Sequence, residues 1–362
     1  MKVLYDYPSV DMAYGGVARY VCEIMNELHK DIEVKTSILV TDNVYIKDLP
    51  FLKIKSLITD RNFKGKGKVQ KIINTAYSNY KVLMNDFDIF HATFSDAYYL
   101  RKIKKPIVVT IHDMINEKLA DYHISHASHI ESKKNLIYKS DHIIAVSHNT
   151  KKDILEIYPV NPDKITVIYH GPPQSAKQIY KNELGDYILY VGRRTRYKNF
   201  NFFVESIIPL LLKNPDLKLV CIGSSFTNDE KEFLNKSGIL KQAVSMGLSD
   251  DVLYSIYRHA LVFVFPSIFE GFGIPILEAF ANECPVCLSN SSCFPEIAGD
   301  AAMYFNPADS ESIRESIDKI ITDKDVANNL RKKGLERLSL FSWQKAAQET
   351  FDIYKKMGSQ TS

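Results

Sequence analysis

The sequence lacks the features that mark membrane-spanning, exported and nucleic-acid-binding proteins. Among its 362 residues there are one tryptophan and five cysteines, and the net charge is only +3. No apolar run approaches the roughly 20 residues of a membrane helix, and the N-terminal stretch MKVLYDYPSV does not have the layout of a signal peptide. We therefore expect a cytoplasmic chain with reduced thiols and without a nucleic-acid partner.

The few cysteines give only a weak indication of a metal site. Cys284 and Cys287, in CPVC, have the spacing of half a zinc site, but no second Cys/His pair of matching spacing occurs. Both thiols stand at the start of an apolar strand pattern, VCLS. Core packing is therefore the better interpretation, and we expect no metal ligand here.

What the sequence does contain is a regular alternation of strand-like apolar runs with helical stretches. The runs include KVLYDY, VKTSILV, DIFHATF and PIVVTIHD in the first half, and YILYVGR, KLVCIGS and LVFVFPS in the second. Such alternation predicts parallel sheets with helices on both faces. A polar segment with two prolines, HGPPQSAKQIYKNELGD, separates the halves and is interpreted as a linker.

The sequence thus predicts an α/β fold of two doubly wound, Rossmann-like domains that face each other across a cleft. The first domain is assigned to residues 1–172 and the second to residues 173–342. The closing stretch, 343–358, has the pattern of an amphipathic helix that can pack on either domain, including back on the first.

The stretch SIFEGFGIPILEAF combines a glycine turn with two carboxylates. It follows a buried strand pattern, LVFVF, and Pro275 suits the first position of the next helix. The turn therefore lies at the carboxyl end of a strand, where open α/β sheets bind ligands. Gly271 and Gly273 let a ligand approach backbone N–H groups, which favour an anion, whereas Glu270 and Glu278 favour neutral hydroxyls. A polyol joined to a phosphate, such as a nucleotide sugar, meets both demands.

Three further clusters follow strand patterns. Gly15 and Gly16 open a helix after the first strand, where backbone amides can bind phosphate, although a tight turn explains the glycine pair equally well. His112 directly follows the run PIVVTI, where a structural role is as frequent as a ligand contact. Arg193 and Lys198, in YVGRRTRYKNF, fit a diphosphate clamp better than a solvated turn.

Together these blocks resemble the retaining glycosyltransferases of family 4, and most closely their bacterial, mannosyltransferase-like members of glycosyltransferase group 1. The resemblance covers nearly the whole chain, because GGVARY, VTIHD, AVSHNTKKDI, ITVIYHG, YVGR, VFPSIFEGFGIPILEA, PEIAGDAAMYFNP and FSW occur in the family's order. The two glutamates of EGFGIPILEA have the family's specific E-x7-E spacing. The resemblance implies the GT-B fold, in which two Rossmann-like domains meet across a cleft.

The resemblance also implies roles for the residues of the glycine turn. Glu270 binds the hydroxyls of the donor sugar, and Glu278 holds the ribose diol of the nucleotide. The backbone amides near Phe272 and Gly273 lie along the donor between these two carboxylates.

The same resemblance places Arg193 and Lys198 on the donor diphosphate, which the amide of Gly16 meets from the other domain. His112 matches the residue beside the reacting sugar carbon. The basic loop departs from the family pattern, because relatives often have a proline before the lysine whereas this chain has RRTRYKN. Arg196 can therefore supplement or replace Arg193, and the choice between them stays open.

These cations make a divalent metal unnecessary in this interpretation. Preorganised positive charge, here from Arg193, Lys198 and a helix N-terminus, stabilises the charge that develops on the leaving diphosphate. The metal-using alternative fold relies on a D-x-D motif, and DFD, at 86–88, and DKD, at 323–325, do occur. We interpret both as surface carboxylates. No cofactor and no dedicated nucleophile are expected, which suits a front-face retaining mechanism.

The function that we favour is transfer of a hexose to a glycan or lipid-linked acceptor of a surface polysaccharide such as lipopolysaccharide. GDP-mannose is the first choice of donor, and UDP-linked sugars come next. A non-catalytic, nucleotide-sugar-binding assembly subunit is the alternative, and loss of Glu270 or Lys198 would have favoured it. An epimerase of the same fold is less favoured, because such enzymes lack the E-x7-E block.

Peripheral membrane contact is a separate hypothesis. The stretch FKGKGKVQKIINTAYSNYKVLM combines Lys64, Lys66, Lys68 and Lys71 with an apolar-periodic pattern. The first half of the chain can therefore contact an anionic inner membrane leaflet. A solvated loop is the alternative interpretation of this stretch.

Overall fold

The computed structural model describes residues 1–52, 54, 65–93, 97–122, 127–173, 180–247 and 250–359. The chain divides into two compact units, one formed by Met1–Gly171 with Ser342–Ser362 and the other by Pro172–Phe341. Each unit contains a sheet of six described strands, and all strand pairs within both sheets are parallel. The predicted fold class, two doubly wound α/β domains, is confirmed.

Strands and helices alternate along the first unit. Its described strands are β1 (Lys2–Tyr5), β2 (Glu33–Thr36), β3 (Ile89–Ala92), β4 (Ile107–Ile111), β5 (His142–Ala145) and β6 (Ile165–Val167). Its helices before the linker are α1 (Tyr7–Val10), α2 (Gly16–Leu28), α3 (Lys66–Met84), α4 (Ile115–Lys118), α5 (Ala127–Lys139) and α6 (His148–Ile157). The strand order is β2-β1-β3-β4-β5-β6, so the winding direction reverses between β1 and β3.

The second unit repeats this plan. Its described strands are β7 (Tyr187–Val191), β8 (Lys218–Ile222), β9 (Ala243–Met246), β10 (Val262–Phe265), β11 (Val286–Ser289) and β12 (Met303–Phe305). Its helices are α7 (Phe200–Lys213), α8 (Asn228–Lys236), α9 (Asp250–His259), α10 (Ile274–Ala281), α11 (Phe294–Ala298), α12 (Ser310–Thr322) and α13 (Lys324–Leu338). The order β12-β11-β10-β7-β8-β9 reverses the winding direction between β7 and β10.

Short 3₁₀ helices complete the described secondary structure. They are Val44–Asp48, Ala120–Tyr122 and Pro162–Lys164 in the first unit, and Arg196–Lys198 and Leu240–Gln242 in the second. The central strands are almost entirely buried, and in β10 all four residues of VFVF are inside. Continuous apolar runs are typical of parallel strands that helices cover on both faces.

The C-terminal helix, α14 (Trp343–Ser359), packs on the first unit although it follows the second in the chain. Its buried residues join the same apolar cluster as Tyr5 and Met25. Gly171 lies directly against Trp343, and a Cβ atom there would come within 2.7 Å of the indole Cδ1. Only a glycine therefore fits at this contact between the end of the first unit and α14.

A buried chain of hydrogen bonds connects α14 to the first sheet. The Tyr354 hydroxyl contacts the Tyr5 hydroxyl at 2.9 Å and His91 Nδ1 at 2.5 Å. His91 Nε2 contacts the Thr110 hydroxyl at 2.8 Å, which contacts the Tyr20 hydroxyl of α2 at 2.9 Å. Burial lowers the pKa of His91 to about 3, so its imidazole is neutral at pH 7. These polar groups can be buried because each has a partner.

Two elements differ in length from the sequence prediction. The run VKTSILV was predicted as one strand, but β2 ends at Thr36. The amides of Leu39 and Val40 instead donate to the side chain of Asn74 on α3, each at 3.1 Å, so they are not available to a neighbouring strand. Helix α10 starts at Ile274, one residue before Pro275. Proline is tolerated there because the first four N–H groups of a helix have no intrahelical partner.

The interpretation of the cysteines as core residues is confirmed. All five are free and buried, and burial raises the pKa of the Cys287 thiol. In the part of the chain that the structure describes, no cluster of three or more His, Cys, Asp or Glu residues could hold a metal ion. No described helix is both long and apolar enough to cross a membrane.

Candidate functional site

Two loops leave the second sheet side by side at its carboxyl edge. Strands β7 and β10 are hydrogen-bonded neighbours, with Ile188 opposite Val262, and the winding direction reverses between them. Ligands of open α/β sheets bind at such a point, because the loops of the two strands diverge there and leave a crevice. The loop after β7 carries Lys198 and the loop after β10 carries Glu270. The Ile268 amide donates to the Tyr197 carbonyl at 2.8 Å and ties the two loops together.

Lys198 and Glu270 form an ion pair between these loops. The distance from Nζ to Oε1 is 2.5 Å, and the side chains are only 15% and 12% exposed. The ammonium group also lies 5.2 Å from the ring centres of Tyr197 and Phe265. Cation–π attraction to these rings further stabilises its position. The structure thus brings together two residues that are separated by 72 positions in the sequence.

Three consecutive side chains after β11 fix the backbone around Glu270. The Ser292 hydroxyl accepts a bond from the Glu270 amide at 3.0 Å and donates to the Glu270 carbonyl. Ser291 donates to the Ile268 carbonyl at 3.0 Å, and the Cys293 thiol donates to the Phe272 carbonyl at 3.2 Å. Sequence reasoning missed this clamp, for which the run of small polar residues in SNSSCF was the available signal.

Glu278 projects from α10 and is 8% exposed. The Tyr257 hydroxyl donates to its Oε2 at 3.1 Å and orients the carboxylate. Burial, and then the neighbouring Glu278 charge, raise the pKa of Tyr257, which keeps the phenol protonated as a donor. Sequence reasoning did not identify Tyr257, because its pairing with Glu278 depends on how α9 packs against α10.

The turn that separates the two glutamates is closely packed, and its backbone conformation at Gly273 favours glycine. Gly273 has φ +92°, and a Cβ atom there would meet Ile276 at 3.1 Å and Phe294 at 3.3 Å. Phe272 is buried and packs edge-on against Phe341. The backbone from Glu270 to the start of α10 is therefore held by packing as well as by hydrogen bonds.

The three arginines of the basic loop separate into two kinds. Arg194 binds Glu230 with two bonds, of 2.6 and 3.0 Å, and donates to the carbonyls at 224 and 225. Its side chain is 4% exposed, so its role is to fix the loop to α8. Arg193 and Arg196 are both exposed, and either one can reach a ligand. The choice between them therefore stays open.

The predicted residues of the first unit lie at its own carboxyl edge. Gly15, with φ +112°, precedes α2, and Gly16 is the first residue of that helix. Both are exposed, and no side chain caps the first amides of α2. A helix terminus with uncapped amides is a favourable position for an anion.

His112 follows the last residue of β4 and is half-buried. Burial lowers its pKa to about 4, and the Thr93 backbone is its hydrogen-bond partner. Its Nε2 atom is buried and has no hydrogen-bond partner among the described residues. The ring lies edge-on to Tyr20 of α2, with centroids 5.0 Å apart. A neutral imidazole with one uncommitted nitrogen is suited to bind a ligand hydroxyl.

Lys133 fixes the segment that follows His112. Its side chain is 4% exposed, and Nζ donates to Glu117 at 2.9 Å and to the Asp113 carbonyl at 3.0 Å. Removing one partner of so deeply buried a pair leaves the other charge uncompensated. The lysine therefore holds the backbone next to His112 in one position.

The two D-x-D sequences have structural partners. Asp86 pairs with Lys2 at 2.6 Å and also with Lys35. Asp323 caps the amino end of α13 by accepting bonds from the amides at 325 and 326. These contacts agree with the interpretation of both sequences as surface carboxylates.

Comparison with known proteins identifies both halves of the chain. The family model for glycosyl transferases group 1 matches residues 173–337, and that for glycosyltransferase family 4 matches residues 14–172. The chain is 24% identical to O-antigen chain mannosyltransferase B of Escherichia coli, over 98% of this chain and 100% of the relative. It is 28% identical to an uncharacterized glycosyltransferase of Methanocaldococcus jannaschii, over 75% of this chain and 76% of the relative.

Solved structures share the fold at low identity. Sucrose-phosphate synthase from Thermosynechococcus elongatus superimposes with a TM-score of 0.74 at 18% identity and covers 99% of both chains. Anabaena HepE in complex with UDP and glucose has a TM-score of 0.74 at 15% identity, over 98% of this chain and 100% of its own.

The clamp gives a direct prediction for Ser292, which has φ +56°. Ser292→Gly removes the hydroxyl but relieves a backbone conformation that costs a side-chain-bearing residue about 1–2 kcal/mol. Ser292→Ala removes the hydroxyl and retains that strain. We expect amide hydrogen exchange at residues 268–272 to accelerate about tenfold in both variants, and Ser292→Ala to be less stable than Ser292→Gly by at least about 1 kcal/mol.

Ser225→Ala, at an exposed serine of the same unit, is the control and should leave this exchange unchanged. Unchanged exchange at 268–272 in both Ser292 variants would show that the hydroxyl does not hold the loop.

Proposed function

The chain belongs to glycosyltransferase family 4, and we propose that it transfers a sugar, with retention of configuration, from a nucleoside-diphosphate sugar to a glycan or lipid-linked acceptor. The ion pair between Lys198 and Glu270 supports this most directly. A group that suits a diphosphate and a group that suits sugar hydroxyls lie 2.5 Å apart. In a nucleotide sugar the diphosphate and the sugar are joined by a single bond, so one bound donor can engage both side chains.

In the proposed reaction, the bond between the sugar C1 and the diphosphate oxygen breaks, and the acceptor oxygen bonds to C1 on the same face. The acceptor proton passes to the leaving diphosphate. Lys198 and an exposed arginine, Arg193 or Arg196, stabilise the negative charge that develops on the diphosphate. Glu270 orients the sugar hydroxyls, Glu278 holds the ribose, and the Phe272 and Gly273 amides lie along the donor. His112 Nε2 accepts a bond from a sugar hydroxyl.

Mannose is the sugar that we propose, from GDP-mannose. The support is the similarity to the E. coli O-antigen mannosyltransferase along nearly the whole chain and to a Salmonella typhimurium O-antigen mannosyltransferase, at 29% identity over 59% of this chain. The UDP complex of the Anabaena neighbour makes UDP-linked sugars the second candidates. The acceptor would then be a growing surface polysaccharide. We further propose that the enzyme is cytoplasmic and contacts the membrane peripherally. Lys64, one of the lysines on which the membrane hypothesis drew, lies outside the described residues.

The two carboxylates should affect different kinetic constants. Glu270→Gln should lower kcat at least tenfold and change the Kd of the nucleoside diphosphate little, because its partner in the donor is the sugar. Glu278→Gln should weaken binding of the nucleoside diphosphate about tenfold, because the partner of Glu278 in the donor is the ribose. Donor hydrolysis without acceptor, measured with GDP-mannose and UDP-sugars, gives kcat, and calorimetry gives Kd.

Glu311→Gln, at a side chain that is 71% exposed, is the control and should match the wild type in both constants. Equal loss of nucleotide affinity in Glu270→Gln and Glu278→Gln would contradict the separate roles. If the chain binds the nucleotide but turns over none of the donors, it would instead be the non-catalytic nucleotide-sugar-binding subunit.

Metal independence gives a second prediction. If Lys198 supplies the positive charge that stabilises the leaving diphosphate, turnover should survive complete chelation by EDTA. Lys198→Ala should lower kcat by a factor of about 100 or more, equivalent to roughly 2.7 kcal/mol. Lys198→Arg should restore it only in part, because the planar guanidinium places its charge differently from a compact ammonium.

Lys241→Ala, at an exposed lysine in the second unit, is the control. Loss of activity in EDTA that Mn²⁺ or Mg²⁺ restores, with Lys198→Ala fully active, would contradict the metal-free mechanism.

A further inference from the structure

A buried carboxyl group lies at the carboxyl edge of the first sheet. Asp6 directly follows β1 and is 0% exposed. Its backbone amide donates to the carbonyl of His91 in β3 at 3.2 Å. Strands β1 and β3 are the neighbours between which the winding direction of this sheet reverses. Asp6 therefore lies at the point of the first sheet that corresponds, in the second sheet, to the loops of Lys198 and Glu270.

The side chain of Asp6 does not cap the helix that it precedes. Asp6 is the N-cap residue of α1, a position where an aspartate normally accepts a bond from the first amides of the helix. Within the described part of the chain, its carboxyl group makes no such bond. Instead, Oδ1 accepts from the backbone amide and from the hydroxyl of Thr93, both at 2.8 Å. The carboxyl group therefore holds a residue 87 positions away.

The surroundings of this contact are polar and fully buried. Thr93 and Ser9 are both 0% exposed. The Ser9 hydroxyl contacts the Thr93 hydroxyl and lies 3.5 Å from Asp6 Oδ1. Buried polar groups are costly when they lose their partners, so these bonds favour a single position of Thr93.

The backbone of Thr93 is in turn the hydrogen-bond partner of His112. Because the Thr93 amide already donates to Asp6, the group that remains for the ring is the Thr93 carbonyl, which can only accept. The ring therefore donates to it. Nε2 of His112 is buried and has no partner among the described residues, so the donor is Nδ1. Burial lowers the pKa of His112 to about 4, so at pH 7 the ring is neutral and Nε2 carries the lone pair.

We propose that Asp6 is a positioning residue for His112: by holding Thr93, it fixes the tautomer with hydrogen on Nδ1 and leaves Nε2 as an acceptor for a ligand hydroxyl. A neutral imidazole has two tautomers, and the bond made by one nitrogen decides the role of the other. Asp6 acts through the position of Thr93, because it does not contact the ring itself. The purpose of this arrangement rests on the proposed function, in which Nε2 accepts from a sugar hydroxyl, but the tautomer does not depend on it.

Nitrogen-15 NMR of the full chain measures the tautomer directly, without a ligand. In the wild type at pH 7, Nδ1 of His112 should give the signal of a protonated nitrogen and Nε2 that of an unprotonated one. The signals of this ring are those that are missing from His112→Gln.

Three variants test whether Asp6 and Thr93 fix this tautomer. Asp6→Ala removes the acceptor of both Thr93 bonds and should lower the ratio of the Nδ1-protonated to the Nε2-protonated form about fivefold or more. Asp6→Asn retains Oδ1 as an acceptor and should keep this ratio within about twofold of the wild type. Thr93→Val loses the hydroxyl bond but keeps the amide bond, so its effect should be intermediate, about threefold.

Donor hydrolysis without acceptor measures the consequence for the reaction. Asp6→Ala should lower kcat about tenfold, the equivalent of about 1.4 kcal/mol. It should leave the Kd of the nucleoside diphosphate unchanged, because His112 is proposed to contact the sugar and not the nucleotide. Asp6→Asn should retain most of the wild-type kcat.

The matched control is Thr166→Val, which removes a threonine hydroxyl that lies 2.9 Å from Nε2 of another histidine of the same sheet, His142. It should leave the His112 signals and kcat unchanged. Fluorescence of Trp343, the one tryptophan of the chain, during urea unfolding shows whether each variant is folded. If Asp6→Ala is unfolded, Thr93→Val decides.

Wild-type His112 signals in folded Asp6→Ala, or in Thr93→Val, would overturn the proposal. An Asp6→Asn variant as impaired as Asp6→Ala would also overturn it, because the charge of Asp6 and not its hold on Thr93 would then be responsible. If the tautomers shift as expected but the wild type hydrolyses no donor, the positioning is upheld and the proposed function is contradicted.

Discussion

The ion pair of Lys198 with Glu270 is the interaction on which the candidate site depends. It joins the loops of two adjacent parallel strands at the point where the winding of the second sheet reverses, and the pair is largely buried. A charge pair with so little solvent contact needs partners that hold it in position. The clamp by Ser291, Ser292 and Cys293 and the backbone bond between the two loops supply that support.

The first unit reaches a comparable arrangement by other means. Its carboxyl edge carries an uncapped helix terminus at Gly16 and a neutral His112, whose surroundings are fixed by Tyr20 and by the buried Lys133. The helix α14 returns from the end of the chain to complete its core and joins the chain of hydrogen bonds through His91. The integrity of the edge near His112 therefore depends on residues that lie more than 200 positions away in the sequence.

Sequence patterns predicted the features that repeat along the chain or recur in the family. Alternating apolar runs gave both sheets, and the E-x7-E spacing located the pair of glutamates on either side of the turn. Sequence patterns did not predict the hydrogen bonds between side chains and backbone groups that are far apart in the sequence. Asn74 binds the amides of Leu39 and Val40 beyond the end of β2, Arg194 is a structural arginine among three similar ones, and Ser292 clamps a loop 22 positions away. Helix α3 buries Gln70, Asn74 and Ser78, which the apolar-periodic interpretation of this stretch did not predict.

The most direct test of these roles is the structure of the chain with a nucleoside diphosphate bound, solved with GDP and with UDP. We expect the terminal phosphate to lie within hydrogen-bond distance of Lys198 Nζ, about 2.7–3.2 Å, and the ribose hydroxyls to lie on Glu278. We also expect Ser292 still to hold Glu270. A nucleotide bound away from the loops of β7 and β10, with the Lys198–Glu270 pair unchanged, would contradict these roles.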